Sequence, residues 1–560
     1  MSQDSPAAFV SPYDQRPWLA LYDEGVPADI TVPFANGLAM FDAAVQKDPD
    51  APCLHYFDST LTLGEVDRLS AALAVGFQED LGIGRGDRLM VQLQNVPGFV
   101  LALLAAWRLG AIVVPVNPMF KRDEMAKLVG DSGSKALIQM ESLYEDVGRH
   151  VAPTGVPVVT VSELDYVQEW PADLFPGVER QRHAGTRDLL ELAAAHEGRR
   201  PAPVDLGPDD IALLVYTSGT TGPPKGAMNT HRGVVFNSEN YRVWCKLDAA
   251  DVCLGIAPLF HVTGLIAHIG VCLLTPMPLV LGYRFHPVAM ARLVERYRAT
   301  WVMGSITAYI ALLNEPQVDG YDLSSLSKLW SGGQPVSPTT VDDLEAKLGA
   351  YVHNLYGLTE VTSESHAVPA GRRAPVDPAS GALSVGPPVS GFLVRIVDDE
   401  GQELPVGEIG ELVMDSPSVV PGYWNKPEET AAAIPGGWLR TGDVGFMDAE
   451  GWFYIVDRKK DIIIASGYKI WPRDVEDVLY QHPAVRETAV IGEPDAYRGE
   501  TVTAFVSLKV GASATPEELV AFCRERLAAY KCPRQVNVVA EIPKTASGKI
   551  MRRALRQPAT

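Results

Sequence analysis

Short apolar runs alternate with helical patterns through most of the chain, and this alternation limits the fold more than any other feature. The run DRLMVQL at 87–93 is followed by the helical pattern VPGFVLALLAAWRLG at 96–110 and then by the run AIVVPVN at 111–117. The alternation returns at DVCLGIAP, TWVMGS, KLWSGG and AYVHNLYG, each next to a helical segment. Repeated units of this kind predict an α/β fold of mostly parallel sheets covered by helices, with ligands at the carboxyl ends of strands.

The pattern changes in the last third of the chain. Short strands joined by Asp- and Gly-containing turns, as in FLVRIVDDEGQELPVGEIGELVM, predict a β-rich subdomain. A compact α+β pattern follows, with one helix at WPRDVEDVLYQ and another at TPEE, where Thr515 and Glu518 form a capping box. Because 560 residues are too many for a single core, we expect a large N-terminal domain over 1–457 and a small, mobile C-terminal domain over 458–560.

The acidic composition argues against whole classes of partner. Lys and Arg number 48 against 69 Asp and Glu, a formal net charge of −21, which disfavours a nucleic-acid or anionic-membrane surface. The most apolar stretch contains Arg108 and Gly110 and is too interrupted for a transmembrane segment. The N-terminus has no secretory pattern, and the six cysteines show no CxxC spacing. These features predict a cytoplasmic protein.

A loop rich in small residues, YTSGTTGPPKGAM, follows the apolar run IALLV. Small residues allow backbone N–H groups to approach an anion, and Lys225 adds positive charge, so the loop is a candidate for binding phosphate. The Walker spacing is not met, because Pro224 stands where the second glycine is needed. A simple surface turn is the alternative interpretation.

Five motifs follow one another between 217 and 549: TSGTTGPPKG, YGLTE, WLRTGD, DRKKDIIIASGYKI and PKTASGK. In these motifs the chain resembles the adenylate-forming superfamily of acyl-CoA synthetases, peptide-synthetase adenylation domains and luciferases, and most of all a bacterial acyl-CoA synthetase. The resemblance implies a two-step reaction, in which a carboxylate attacks the α-phosphate of ATP to give acyl-AMP and pyrophosphate, and a thiol then displaces AMP. Positioning and charge neutralisation dominate the first step.

The resemblance assigns the phosphate and adenine contacts residue by residue. The first motif would hold the β- and γ-phosphates through Thr217, Ser218, Gly219, Thr220, Thr221, Gly222 and Lys225. Further along, Asn354 would bind the adenine amino group and the ring of Tyr356 would lie against adenine. Thr359 and Glu360 would lie near the phosphates and the metal, since Mg²⁺ prefers hard oxygen ligands. For Glu360, the alternative is an acid that complements the start of a helix.

The remaining nucleotide contacts come from three other segments. Asp443 of the TGD motif would accept hydrogen bonds from the ribose hydroxyls, and Arg458 would reach the ribose and phosphate region, unless it is an ordinary surface arginine. The nucleotide set is completed by Gly332, Gly333, Gln334 and Gly357.

Lys549 matches the lysine that, in this superfamily, contacts the acyl carboxylate, the ribose and the α-phosphate during adenylation. The alternative is an exposed lysine on a flexible tail. The resemblance also implies a hinge at Lys460, about which the C-terminal domain rotates so that Lys549 leaves and the loop around Gly467 lines the CoA tunnel. One departure is Ile464, where many relatives carry lysine, and it weakens any inference about how this loop contacts the nucleotide.

The segment PLFHVTGLIAH resembles the one whose aromatic or histidine residue separates acid from thiol, here His261, although a packed core histidine is the competing interpretation. The acyl site would be formed by His261, Val262, Thr263, Gly264, Ala267, Ser305 and Gly332. None of these is charged, so the ammonium group of an amino acid would lack a partner. The small residues Thr263 and Gly264 predict a roomy apolar pocket for a medium- or long-chain fatty acid or a bulky polycyclic acid.

Together these assignments predict an ATP-dependent acyl-CoA synthetase that uses ATP, Mg²⁺ and coenzyme A. Its catalytic residues would be Lys549, Glu360, Thr359 and His261, with Glu360 as the metal ligand. An acyl-AMP ligase that loads an acyl carrier protein is the nearest alternative, and a non-catalytic nucleotide-binding relative is the third. The oligomeric state stays open between monomer and homodimer.

Overall fold

The structure is a computed structural model that describes residues 11–151, 155–217, 224–378, 381–458, 461–465, 468–495, 498–545 and 549–556. The predicted Ser218, Gly219, Thr220, Thr221, Gly222, Lys460 and Gly467 lie outside these residues. Among the described residues, none of the helices combines the length and apolar character needed to cross a membrane.

Two large sheets, both mainly parallel, form the body of the molecule. One contains the strands β1 (Pro52–Tyr56), β2 (Ser59–Thr62), β10 (Cys253–Leu254), β11 (Leu279–Leu281), β12 (Trp301–Gly304), β13 (Lys328–Gly332), β14 (Val352–Leu358) and β15 (Ser363–Ala367). The other contains β3 (Arg88–Gln92), β4 (Ile112–Pro115), β5 (Ala136–Met140), β6 (Val158–Val161), β7 (Arg187–Asp188), β8 (Ile211–Tyr216) and β9 (Gly226–Thr230). Their strand orders are β15-β14-β13-β12-β10-β11-β1-β2 and β7-β6-β5-β3-β4-β8-β9.

Helices cover these sheets, and one of them, Pro97–Arg108, is buried along its whole length. The α-helices are α1 (Gly37–Lys47), α2 (Leu63–Leu81), α3 (Pro97–Arg108), α4 (Arg122–Ser132), α5 (Arg149–Val151), α6 (Leu189–Ala195), α7 (His231–Trp244), α8 (Val271–Leu274), α9 (Pro287–Tyr297), α10 (Ile306–Asn314), α11 (Pro338–Leu348), α12 (Pro427–Ala433), α13 (Pro472–Tyr480), α14 (Pro516–Arg524) and α15 (Arg552–Leu555). The predicted βαβ unit is confirmed, because α3 connects β3 to β4 and these two strands pair in parallel.

The β-rich and C-terminal segments form two further sheets. The first is an antiparallel sheet of β16 (Leu393–Val397), β17 (Gly410–Asp415), β18 (Leu439–Met447) and β19 (Phe453–Arg458). The second contains β20 (Ile463–Ala465), β21 (Tyr468–Ile470), β22 (Val485–Asp495), β23 (Gly499–Leu508) and β24 (Gln535–Val538). We call the described residues from Asp461 to Arg556 the C-terminal unit; its helices and strands enclose a hydrophobic core of their own. The predicted α/β class, with mainly parallel sheets and added antiparallel ones, is confirmed.

Two helices predicted within the C-terminal unit are present in the structure. The predicted capping box is present at α14, where the Thr515 hydroxyl accepts from Glu518 N and the Glu518 carboxylate accepts from Thr515 N. The helix predicted at WPRDVEDVLYQ is α13, which begins at Pro472. The sheet membership of the chain changes between Arg458 and Ile463; the exact division into domains stays a prediction.

The helical segment predicted next to the DVCLGIAP run, TGLIAHIGVCLL, is not a regular α-helix. It forms a π-helix over Gly264–Gly270, which continues into the single turn of α8. Residues outside the π-helix hydrogen bond to it and support its wider turn. Trp301 Nε1 donates to Ala267 O at 3.2 Å, and His268 Nε2 accepts from Ala257 N at 3.1 Å. Sequence periodicity does not reveal such a widened turn, which occurs often at functional sites.

Candidate active site

The ends of the small-residue loop lie at the carboxyl end of β8. Thr217 N donates to Lys225 O at 2.9 Å, so the residues on either side of the loop are tied together. Strand β9 then returns antiparallel to β8. The backbone of Tyr423 and Trp424 pairs with β9, and Trp424 N donates to Gly226 O at 2.8 Å.

Tyr423 connects the loop lysine to the predicted metal ligand. Its hydroxyl donates to Glu360 Oε1 at 2.8 Å, and Lys225 Nζ lies 5.1 Å from the centre of its ring, a cation–π distance. Burial and the neighbouring Glu360 charge raise the pKa of Tyr423, so the hydroxyl stays protonated and donates. Tyr423 was not predicted as a site residue, because the segment SVVPGYWN carries no spacing that would single it out.

Two buried asparagines hold the turn that carries Thr359 and Glu360. Asn229 Nδ2 donates to Thr359 O at 2.9 Å, and Asn237 Nδ2 donates to Val361 O at 2.8 Å. The following Thr362 adopts a left-handed conformation with φ 59°, which is unfavourable for a β-branched residue. Because side-chain amides satisfy the carbonyls of this strained turn, Thr359 and Glu360 keep a fixed position at the end of β14.

Tyr356 and Asp443 meet directly, although 87 residues separate them. Tyr356 OH donates to Asp443 Oδ2 at 2.6 Å. Asp443 follows Gly442, whose φ of +69° needs glycine, and it lies opposite Arg458 in the pairing of β18 with β19. The predicted adenine and ribose residues are therefore neighbours, and the backbone of Arg458 lies beside them.

Asn354 and the residues after β13 complete the nucleotide side. Asn354 Nδ2 donates to Ser384 O at 3.0 Å, which fixes the orientation of its amide. Gly332 ends β13, and Gly333 has a φ of +88°. Gln334 Oε1 is buried and has no hydrogen-bond partner among the described residues. Gly357 packs so closely that an added Cβ would overlap Ser363 O.

Lys549, which belongs to the C-terminal unit, lies beside Gly333 on the nucleotide side of the site. An added Cβ on Gly333 would lie 3.0 Å from Lys549 Cε and 3.6 Å from Lys549 Nζ. His261 is also near Lys549, since burial and, to a smaller extent, the Lys549 charge together lower the pKa of its imidazole to about 3. The structure thus brings Gly333, Lys549 and His261 together from three distant parts of the sequence.

Lys549 is held by a short turn and by an arginine beyond it. Thr545 N donates to Lys549 O at 2.7 Å, and Lys549 N donates to Thr545 Oγ1 at 3.1 Å. Arg552 NH2 lies 2.9 Å from Glu476 Oε1, and Arg552 NH1 lies 3.7 Å from Asp457 Oδ1. The sequence analysis did not identify Arg552, although its position three residues after Lys549 was a usable signal.

The predicted acyl residues lie around the π-helix. Val262, Gly264 and Ala267 are buried, and an added Cβ on Gly264 would lie 2.2 Å from Pro258 O. Thr263 N donates to His261 Nδ1 at 3.3 Å, which orients the ring. Ser305 precedes α10 at the end of β12.

The donor set fits ATP and Mg²⁺. The unpartnered Gln334 Oε1 can accept a hydrogen bond from the nucleotide, Lys225 and Lys549 supply positive charge, and Glu360 supplies a carboxylate oxygen. The described residues contain no group of three His, Cys, Asp or Glu side chains that could hold a metal ion by themselves. Mg²⁺ commonly uses one or two carboxylates together with substrate phosphates and water, so a single carboxylate such as the predicted Glu360 is compatible with a magnesium site.

Comparison with known proteins identifies the family that this chain resembles. The family model "AMP-binding enzyme" matches residues 41–424, and the model "AMP-binding enzyme C-terminal domain" matches residues 474–549. A long-chain-fatty-acid–CoA ligase from Bacillus subtilis (strain 168) is 36% identical over 559 residues, covering 98% of each chain. A feruloyl-CoA synthase from Amycolatopsis sp is 36% identical over 515 residues, covering 91% of this chain and 96% of the relative.

Solved structures give the same result. ATP-bound MatB from Rhodopseudomonas palustris superimposes with a TM-score of 0.80 at 28% identity, covering 93% of this chain and 98% of MatB. The o-succinylbenzoate coenzyme A synthetase MenE from Bacillus subtilis, in complex with ATP and magnesium ion, gives 0.77 at 28% identity, covering 94% and 100%.

The chain belongs to the AMP-binding enzyme family. It is an AMP-forming acid–thiol ligase, which makes acyl-CoA through an acyl-AMP and uses ATP, Mg²⁺ and CoA.

Proposed function

We propose that this ligase activates a hydrophobic carboxylic acid, either a medium- or long-chain fatty acid or a bulky polycyclic acid, and transfers it to CoA. The observation that carries the proposal is the meeting of Lys549 with Gly333 and His261, where the acyl segment adjoins the nucleotide residues. The relatives named for long-chain fatty acids and for feruloyl-CoA support a hydrophobic acid.

In the first half-reaction, the chain brings two anions together. Lys549 Nζ lies between the acid and the α-phosphate and offsets their repulsion, while Lys225 balances the leaving pyrophosphate. Tyr356 stacks on adenine, and its hydroxyl orients the Asp443 carboxylate for the ribose. Arg458 would add positive charge beside the ribose, a role that its motif predicts.

Glu360 would hold Mg²⁺, with Thr359 beside it, and Tyr423 fixes the carboxylate through its hydroxyl. The bound ion supplies neutralisation of phosphate charge. Asn229 and Asn237 prevent this turn from shifting.

In the second half-reaction, we propose that the C-terminal unit rotates about Lys460, so that Lys549 leaves and the segment of Gly467 approaches the CoA arm. The change of sheet between β19 and β20 supports a division at this point. His261, neutral because burial lowers its pKa to about 3, would separate the acid pocket from the thiol path without adding charge. A cytoplasmic location is part of the proposal and is supported by six buried cysteines that stay as free thiols.

Acid-dependent pyrophosphate release tests this function directly. A panel of fatty, aryl, amino and polycyclic acids would be assayed with and without CoA, and the products identified by mass spectrometry. We expect a CoA thioester from an apolar acid, and no product from the Lys549→Ala variant under the same conditions. Acyl-AMP that accumulates despite CoA would instead indicate a carrier-protein acceptor, and the absence of pyrophosphate release with every acid would contradict the proposal.

A further inference from the structure

One buried carboxyl group near the acyl site has no partner. Glu364 of β15 is fully buried, and neither of its carboxyl oxygens has a hydrogen-bond partner among the described residues. Other buried acids of the chain differ: Asp67 contacts Arg108 and Asp474 contacts Lys531. Burying a carboxyl group without a hydrogen-bond partner costs free energy of folding, so stability does not explain why Glu364 is at this position.

A β-bulge turns Glu364 toward the helices. In the pairing of β14 with β15, Tyr356 lies opposite His366 and Gly357 lies opposite Glu364, so Ser365 is the extra residue. His366 contacts the ring of Tyr356, on the nucleotide side. Because Gly357 follows Tyr356, it faces the other side of the sheet, and Glu364 faces that side with it.

The same face of the sheet borders the predicted acyl site. Leu355 pairs with Gly332 and shares the face of Gly357. On this face, Trp301 of β12 donates to the π-helix at Ala267 O. Glu364 also lies near Tyr241 of α7, whose hydroxyl is 2.9 Å from Oγ of the neighbouring Ser363. Glu364 therefore projects into the layer between the sheet and α7 and the π-helix, the layer that Gly332 and Ala267 border.

The protonation state limits what Glu364 can bind. Burial raises the pKa of Glu364 well above its ordinary value, so the group is a neutral carboxylic acid. A neutral carboxyl has one O–H donor and a carbonyl acceptor, and a hydroxyl group matches both. An ammonium group would require an ionised Glu364, which burial opposes.

We propose that Glu364 determines substrate specificity by hydrogen bonding to a hydroxyl group of the substrate acid. This hydroxyl lies at a distance from the substrate's own carboxylate. The hydroxyl is remote because Glu364 is two strands from Gly332, about 10 Å at the usual strand spacing. This inference rests on the proposed function and narrows its substrate class to hydroxylated hydrophobic acids. It also adds one polar, uncharged group to an acyl site that the sequence predicted to be apolar.

Matched pairs of acids test the inference. The pairs are saturated fatty acids of several lengths with their ω-hydroxy counterparts, and cinnamic acid with its ring-hydroxylated counterpart. For the wild-type protein we expect kcat/KM to favour the hydroxylated member of at least one pair by about tenfold or more. In Glu364→Leu we expect the preference to reverse, because kcat/KM for the acid without the hydroxyl rises, mainly through a lower KM. Glu364→Gln can still donate and accept hydrogen bonds and should keep part of the preference for the hydroxylated acid.

Two controls separate specificity from folding. Glu239→Leu replaces an acid of α7 that pairs with the exposed Arg242, and it should leave the preference unchanged. The unfolding temperature of Glu364→Leu should equal or exceed that of the wild type, because the variant removes an unpartnered buried polar group.

The outcomes are distinct. Thioesters formed with equal efficiency from both members of every pair, or a preference that Glu364→Leu does not change, would overturn this inference and leave the proposed function standing. No thioester from any acid would overturn both. A lower unfolding temperature with an unchanged preference would assign Glu364 to structure and reject the specificity role.

Discussion

The two sides of the active site are built differently. On the nucleotide side, Tyr356 lies on β14 and Asp443 lies on β18. The Tyr356 hydroxyl donates a hydrogen bond to Asp443 Oδ2 at 2.6 Å. Glu360 is fixed by Tyr423 and by the asparagines behind its turn. Strand pairing and direct hydrogen bonds therefore set this geometry before any substrate arrives.

Lys549, by contrast, belongs to a short turn of the C-terminal unit. Contacts that join the unit to the rest of the molecule include two hydrogen bonds: Arg473 NH1 donates to Ile455 O at 2.8 Å, and Arg473 NH2 donates to Val336 O at 3.4 Å. A polar interface separates at lower cost than an apolar core. The comparison indicates a preorganised nucleotide site and a lysine whose presence depends on how the C-terminal unit is docked.

The largest expected effect comes from removing the lysine itself. Lys549→Ala should lower acyl-AMP formation by about 10³-fold, because a charge placed between two anions is lost. Conversion of supplied acyl-AMP and CoA should be largely retained, as the lysine acts only in the first step. The two half-reactions would be measured separately, with Lys544→Ala, which removes a neighbouring lysine paired with Glu487, as control. Equal loss of both half-reactions would remove the distinction between the two sides.

Substitutions on the preorganised nucleotide side should weaken the binding of ATP. Asp443→Asn should raise the KM for ATP about 10- to 100-fold, since the charged acceptor for the ribose is lost. Tyr356→Phe, which removes only the hydroxyl, should have a smaller effect in the same direction. Steady-state kinetics at saturating acid would measure both, with Asp415→Asn at the exposed end of β17 as control. An unchanged KM in Asp443→Asn would contradict the ribose assignment.

Much of this arrangement could be predicted from the sequence, because motifs at strand ends converge when parallel strands share a sheet edge. The TSGTTGPPKG and YGLTE segments predicted a shared site for Lys225 and Glu360, and in the structure both side chains contact Tyr423. The α/β class followed from alternating apolar runs, and α14 from its capping box.

What could not be predicted depends on contacts between distant segments. Tyr423 acquires its role only because its strand-like segment pairs with β9, and Asn237 only because α7 packs behind the turn at Thr359. The orientation of Glu364 depends on a bulge at Ser365, which the alternation of the SESHA segment does not indicate. The widened turn at Gly264–Gly270 likewise depends on outside partners such as Trp301.

Tyr423 offers a finer test of preorganisation. Tyr423→Phe should lower the rate of acyl-AMP formation about tenfold and raise the Mg²⁺ concentration needed for half-maximal rate, because Glu360 loses the donor that fixes it. Tyr454→Phe is a matched control, since it removes a similar tyrosine–carboxylate contact, to Asp448 at 3.1 Å, away from the site. The same rate and Mg²⁺ dependence in both variants would show that Glu360 does not need Tyr423.

The smallest expected effect concerns the docking of the C-terminal unit. Arg473→Lys keeps the charge but replaces the two terminal nitrogens of the guanidinium, each of which reaches one carbonyl, with a single nitrogen, so the contact with Ile455 and Val336 weakens. Acyl-AMP formation should fall about threefold, the equivalent of roughly 0.6 kcal/mol, which is at the low end for a hydrogen bond.

Half-reaction kinetics decide whether this loss reflects docking. If the contact serves only the arrangement in which Lys549 meets Gly333, thioester formation from supplied acyl-AMP should keep its rate in Arg473→Lys. Arg486→Lys is the matched control, because Arg486 also donates to a backbone carbonyl, that of Ala540, but within the C-terminal unit. If both variants slow both steps equally, the effect is on the folding of the unit, and docking of the lysine would not depend on Arg473.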